Sequence, residues 1–313
     1  MMRGSARGGA TMVAAVLAMG FAGLAGPAAA ETVSVLTPYL SAVATGEMVE
    51  SLKADAAARG WAVSVVDTAG DFGALASRVE DVVNARTSAI VLVSLNPAQI
   101  QDQVGKAAAA GIPVFTIDGA AGPGVTLNVT SDNHALGKAM TDYLFGRLGG
   151  HGSIVRFFFS AHPGVHQREI ALDEALQATP GIRQVADHYV QVPGQIDDSR
   201  NAMEAMLAAN PAPGAINAVW AAWDEPGIGA LLALQAAGRS DIVITGIDGN
   251  PQAVDLIRQC TPFIATVRQN FADMSRITVE QMAKVFAGAK PDAAELYAPG
   301  TLITRESLGV TCP

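Results

Sequence analysis

Two residues with usable chemistry, Trp223 and Asp248, each fall just past an apolar run, at 218–222 and 242–247. Asp118 repeats the pattern after the run 113–117, and Thr116-Ile117-Asp118-Gly119 is echoed by Gly246-Ile247-Asp248-Gly249. An ionised carboxylate accepts hydrogen bonds from hydroxyl groups, and an aromatic ring covers an apolar C–H face. That set suits a small polyhydroxylated molecule. Asp-Gly is also a common turn pair, so one such Asp would signal little more than a turn. Two, one in each half of the chain, favour carboxylates facing a shared cleft. His162 and His166 are four apart, a spacing that can hold a metal on a helix. Pro163-Gly164 between them favours a loop, and no third ligand lies nearby, so no metal is expected. His162 remains able to reach the cleft from its strand end. No GxSxG, GxxxxGK[ST], full GxGxxG or HExxH occurs, and no cofactor is expected.

The elements that must position these residues alternate between strand and helix. Strands are expected at 32–37, 62–67, 89–93, 113–117, 125–129, 153–159, 183–190, 218–222, 242–247 and 263–268, with a last one near Leu302. Helices are expected at 47–59, 72–85, 98–110, 133–148, 165–178, 198–210, from Asp224 to Gly238, at 250–258 and at 271–287. Asp224 reads as the cap of its helix, with Pro226 in the first turn. Asp132 and Asn133 read as a helix start, and Trp220 as a core residue inside its strand. The rhythm, a strand every 25–30 residues or so, indicates parallel sheets with helices on both faces. Trp223, Asp118 and Asp248 then lie at the carboxyl edge, where open parallel sheets bind ligands.

The first 30 of the 313 residues read as an export signal. Arg3 and Arg7 precede an apolar stretch at 12–24, and Ala28-Ala29-Ala30 matches a cleavage site before Glu31. The apolar stretch is short of the ~20 residues of a membrane span. The signal holds two Arg and no acid, so the remaining 283 residues carry 18 basic and 29 acidic side chains, net −11. Such a balance disfavours nucleic acid and suits a neutral or cationic small ligand. Cys260 and Cys312 are the two cysteines. In an oxidising compartment they are expected to form one disulfide, with two separate buried thiols as the alternative. No CxxC spacing suggests metal.

Together, Gly111-Ile112-Pro113-Val114-Phe115-Thr116-Ile117-Asp118, Ser131-Asp132-Asn133 with Leu136-Gly137, Asp224-Glu225 with Gly229-Ala230-Leu231, and Gly246-Ile247-Asp248-Gly249 carry a resemblance. Over nearly the whole mature part, the chain resembles the periplasmic sugar-binding proteins of bacterial ABC importers, in the ribose- and galactose-binding group. The resemblance implies an α/β fold of two Rossmann-like lobes, each a parallel sheet flanked by helices, joined by a hinge the chain crosses three times. The N-terminal lobe would comprise 31–131 plus 270–299, and the C-terminal lobe 132–269 plus 300–313. The Cys260–Cys312 bridge then lies within one lobe and leaves the hinge free.

By the same resemblance Asp118 and Asp248 accept from sugar hydroxyls and Arg168 donates to them. Gln269 is a hinge-side amide, and Ser94 lies near a polar position after the third strand. Two positions depart from the family pattern. Trp223 stands where Asn is common, and Tyr39 is the one aromatic in the turn Thr37-Pro38-Tyr39-Leu40-Ser41. The stacking platform is therefore expected at Trp223. The implied function is capture of a monosaccharide or sugar alcohol by a periplasmic, monomeric binding protein, without catalysis, and delivery to a permease driven by an ATPase. The alternatives are a sensor presenting a sugar or autoinducer to a membrane receptor and, less well supported, a sugar-acting enzyme using the two Asp. A sugar-responsive repressor shares the fold, but an export signal occupies the place of its DNA-reading module.

Overall fold

The computed structural model describes residues 1, 2, 4 and 30–312. The expected export signal and its cleavage point lie almost wholly outside the described residues. From Glu31 the elements run β1 (Thr32–Thr37), α1 (Val43–Ala57), β2 (Ala62–Asp67), α2 (Phe72–Asn84), β3 (Ala89–Val93), a 3-10 turn (Pro97–Ile100), α3 (Gln101–Ala109), β4 (Val114–Ile117) and β5 (Leu127–Ser131). Then follow α4 (Asn133–Arg147), β6 (Gly152–Phe158), α5 (Pro163–Ala178), β7 (Ile182–Tyr189), α6 (Gln195–Ala209), β8 (Ala218–Ala221), α7 (Asp224–Ala236) and β9 (Val243–Asp248). The chain ends with α8 (Pro251–Arg258), β10 (Phe263–Arg268), α9 (Phe271–Phe286), β11 (Glu295–Ala298) and β12 (Thr301–Thr304).

The strands form two six-stranded sheets, ordered β11-β5-β4-β3-β1-β2 and β12-β10-β9-β8-β6-β7. Both belong to one compact unit. Strands covered on both faces must be apolar throughout, and β3, Ala-Ile-Val-Leu-Val, is buried at every position. Its alternate residues serve two cores. Val91 and Val93 pack with Met48 and Leu52 of α1 and Met274 and Met282 of α9. Ile90 and Leu92 pack with Leu75 and Val79 of α2 and Val104 of α3. Ser275 Oγ donates to the Met48 carbonyl at 2.9 Å, tying α9 to α1 although 227 residues separate them. The second sheet has its own core around Trp220, Phe157 and Phe263. Trp220 is fully buried, with its indole N–H satisfied by Thr141 Oγ1 at 2.9 Å.

The chain passes between the sheets after β5, after β10 and after β11. The two parallel sheets flanked by helices are as expected, with one antiparallel edge strand added by the last passage. β12 runs antiparallel to β10, pairing Arg268 with Thr301. Only Pro299 and Gly300 separate β11 from β12. A parallel strand needs a crossover of a dozen or more residues to reach its starting end, and two residues cannot supply one. β11 itself was not expected, because Glu-Leu-Tyr-Ala at a half-exposed sheet edge has no apolar run.

Cys260 and Cys312 are bonded to each other across 52 positions, joining the turn after α8 to the C-terminus. Among the described residues no helix is long and apolar enough to cross a membrane.

Candidate functional site

Both sheets direct the carboxyl ends of their strands at one cavity. From the first sheet come Tyr39 after β1, Ser94 after β3 and Asp118 after β4. From the second come Phe159 and His162 after β6, Gln195 after β7, Trp223 and Glu225 after β8, and Asp248 at the end of β9. Arg168 reaches in from α5. The space left for the centres of water-sized molecules is about 60 Å³. One water needs roughly 10–15 Å³ on that measure, so the cavity has room for a few waters.

Three of these residues hold unusual backbone. Ser94, Asp118 and Asp248 have φ of 58°, 51° and 130°. Positive φ crowds the Cβ of an L-residue and costs roughly 1–3 kcal/mol per site. Each lies where a buried strand must stop and turn within one residue. Gly249 follows Asp248 at φ 72°, and a Cβ there would lie 2.5 Å from that of Arg268. Glycine lets the β9 and β10 ends close up, and Thr266 Oγ1 then accepts from the Gly249 N–H at 3.1 Å.

Arg168 is 1 % exposed. Its Nε donates to Asn133 Oδ1 and its Nη1 to the Ala222 carbonyl, both at 2.8 Å. Nη1 also stands 3.5 Å from Asp248 Oδ1. Among the described residues its Nη2 has no hydrogen-bond partner, leaving donors for an occupant. Gly137 on α4 makes this placement possible. A Cβ there would lie 2.7 Å from the Arg168 Cα, so the glycine seats α5 against α4.

Asp248 also accepts from Gln269 Nε2 at 2.9 Å. Burial pushes its carboxyl up to about 7, against the pull of Arg168 and Gln269, with Asp118 and Glu225 pushing the same way as burial. His162 caps α5, its Nδ1 accepting from the Val165 N–H at 3.3 Å. The proton therefore sits on Nε2, 3.5 Å from Asp118 Oδ2. Burial lowers the His162 pKa further than Asp118 restores it, and Arg168 adds to the lowering, so the ring is neutral. Asp118 Oδ1 accepts from Thr130 at 3.3 Å, and Thr45 donates to Ser94 Oγ at 2.8 Å. Tyr39 stands edge-on to Phe159 at 6.0 Å, and Phe159 tilts against Trp223 at 6.3 Å, forming an aromatic wall. Burial, then Tyr189, pushes the Tyr39 phenol up to about 12, so it keeps its proton.

Seven of the eight expected ligand residues thus line the cavity: Tyr39, Ser94, Asp118, His162, Arg168, Trp223 and Asp248. Gln269 stands behind Asp248, its Oε1 buried and without a partner among the described residues. Asp224 is not the helix cap. Trp223 holds that position, and Asp224 is the first residue of α7. Its carboxylate accepts instead from the Asn250 N–H at 2.8 Å and Thr266 Oγ1 at 2.7 Å, pinning the turn after β9. Asp132 does cap α4, accepting from the Ala135 N–H at 3.0 Å. His166 is exposed on α5 beside Glu169, while His162 has spent Nδ1 on its cap.

Sequence reading missed Glu225, Gln195, Phe159 and Thr45 in the wall. Phe159 and Glu225 follow β6 and β8, so the strand-edge rule could have found them. Gln195 and Thr45 carry no such signal, since each stands in the first turn of a helix, α6 and α1, and not directly after a strand.

Residues 33–290 match the model of a family described as periplasmic binding protein domain. The chain is 27% identical over 292 residues to the ribose import binding protein of Escherichia coli, covering 91% of this chain and 94% of that one. It is 30% identical over 202 residues to a xylitol-binding protein of Mycolicibacterium smegmatis, covering 64% and 56%. Among solved structures, an ABC transporter solute-binding protein of Agrobacterium vitis with bound allitol superposes with a TM-score of 0.84 at 27% identity, over 90% of this chain and 97% of that one. With the family model spanning most of its length and the cavity at the strand ends, this chain belongs to the periplasmic binding protein family.

Proposed function

We propose that this protein captures one monosaccharide or sugar alcohol in the cavity between its two sheets and delivers it to the permease and ATPase of an ABC importer. The observation that carries this is a single cavity walled from both sheets, with acceptors and donors at the strand ends and the aromatic wall of Tyr39, Phe159 and Trp223. Asp118 and Asp248 accept from ligand hydroxyls, Arg168 donates through Nη2, and Trp223 covers a C–H face. Ser94, Tyr39 and His162 complete the first contacts, and Gln269 orients Asp248 from behind. The relatives that bind xylitol and allitol support the polyol class.

The lobes are residues 31–131 plus 270–299 and residues 132–269 plus 300–313. They close about the three passages, the ligand shifting the population toward the closed form. No bond in the ligand is made or broken. The site of action is the periplasm, after removal of the export signal, and the protein acts as a monomer.

The test is calorimetric titration of the mature protein with pentoses, hexoses and their alcohols. At least one binds, and Asp248→Ala, with its fold intact by circular dichroism, loses binding by about 100-fold or more, as expected for a buried charged hydrogen-bond acceptor. If no compound binds, the proposal fails. Unchanged affinity in the variant removes Asp248 from the site.

A further inference from the structure

Charge inside the cavity is unequal. Three carboxylates line it, Asp118, Glu225 and Asp248, against a single permanent cation, Arg168. Arg168 donates to Asn133 and the Ala222 carbonyl and stands 3.5 Å from Asp248, which leaves Nη2 as its one group without a partner among the described residues. His162, the remaining titratable base, is held neutral by the N–H of Val165 on its Nδ1 and faces Asp118. Glu225 is 4 % exposed and joins no ion pair among the described residues. Burial raises its pKa, while the neutral donors Gln195, the Val43 main chain and Trp223 hold it down. Arg168 faces Asp248, which leaves Asp118 and Glu225 as carboxyl groups with no permanent cation of their own in the cavity wall.

Asp118 has a place in gripping hydroxyls across from Asp248. Glu225 duplicates that role on a wall that already has acceptors. A low-dielectric cavity magnifies any unbalanced charge, and a second anion placed there meets repulsion with no permanent cation besides Arg168 to offset it.

We infer that Glu225 is a specificity-determining residue that makes the cavity reject anionic sugar derivatives, restricting the ligand to uncharged polyols and sugars. This rests on the solute-binding reading of the cavity. A carboxylate or phosphate group on the ligand meets the carboxyl groups of Glu225 and Asp118 against one guanidinium, that of Arg168, which already faces Asp248. An uncharged polyol of the same size donates its hydroxyls to both.

The experiment is calorimetry at pH 8 with ribitol, xylitol and allitol and with the aldonates of the same carbon skeletons. Wild-type protein binds a polyol ~100-fold more tightly than its aldonate, as expected for an uncompensated buried charge. Glu225→Gln narrows that gap by about tenfold or more, because the isosteric amide carries no charge. Glu225→Ala, which leaves no polar group, narrows it likewise, with folding of both variants followed by thermal unfolding. A wild type that binds polyol and aldonate equally, or a gap unchanged in both variants, overturns the inference while leaving polyol capture standing. A wild type that binds no polyol overturns both.

Discussion

Asp248 combines a positive φ, near-complete burial and a carboxyl raised to about 7 by desolvation. A raised folded pKa means that folding takes up protons. Its contribution to stability is full below the ordinary carboxylate range and is lost as pH rises through about 7. His162 acts in the opposite sense. Its lowered pKa contributes stability present above 6.5 and lost as pH falls through the folded value. Ligand hydroxyls donating to Asp248 favour its ionised form, so binding near pH 7 releases a proton. Polyol affinity should rise between pH 6 and pH 8. Titration in two buffers of different ionisation enthalpy reads the proton directly, and Asp248→Asn should abolish the release. Release that persists in the variant would assign it to another group.

At the level of elements, the site depends on how α4 and α5 meet. Gly137 gives α5 its close seat and thereby fixes where Arg168 enters the cavity. Gly137→Ala places a methyl group 2.7 Å from backbone, and overpacking of this kind costs about 1–3 kcal/mol. Thermal unfolding should show that loss, and calorimetry should show weaker polyol binding through the displaced guanidinium. A variant with full stability and affinity would mean the helices part without moving Arg168. α1 extends the same theme. It begins at Val43, four residues before the helix expected from 47, and so carries Thr45 into the cavity wall. Its cap, Ala42, makes no side-chain hydrogen bond, which is why no start signal marked it.

For the whole molecule, the bond between Cys260 and Cys312 ties the C-terminus beside α8, with neither cysteine in the cavity wall. Replacing both by Ser should cost about 2–4 kcal/mol by freeing the unfolded chain. Polyol affinity should stay within about twofold of wild type, since sites without shared partners act independently. Denaturant unfolding and calorimetry on the double variant separate the two effects. A matching loss of affinity would show that the bridge reaches the hinge.

Much of the fold was legible because burial on both faces leaves a plain mark. The run at β3 is continuous and apolar, and β1, β2, β3 and β10 keep their expected bounds. β11 escaped because an edge strand buries only part of its surface, and β12 because its direction depends on where the chain re-enters the second sheet. Asp118, Asp248 and Trp223 could be placed at a ligand edge from local pattern, since strand ends in parallel sheets fix position without reference to distant residues. The remaining decisions are long-range. That Asp224 turns away to Asn250 and Thr266 and that Gln269 backs Asp248 depend on partners 26, 42 and 21 positions away. Sequence alone determined which residues stand at the strand ends. The tertiary structure decided which of them share one cavity and with what charge, because desolvation and hydrogen-bond partnership exist only once the two sheets are brought together.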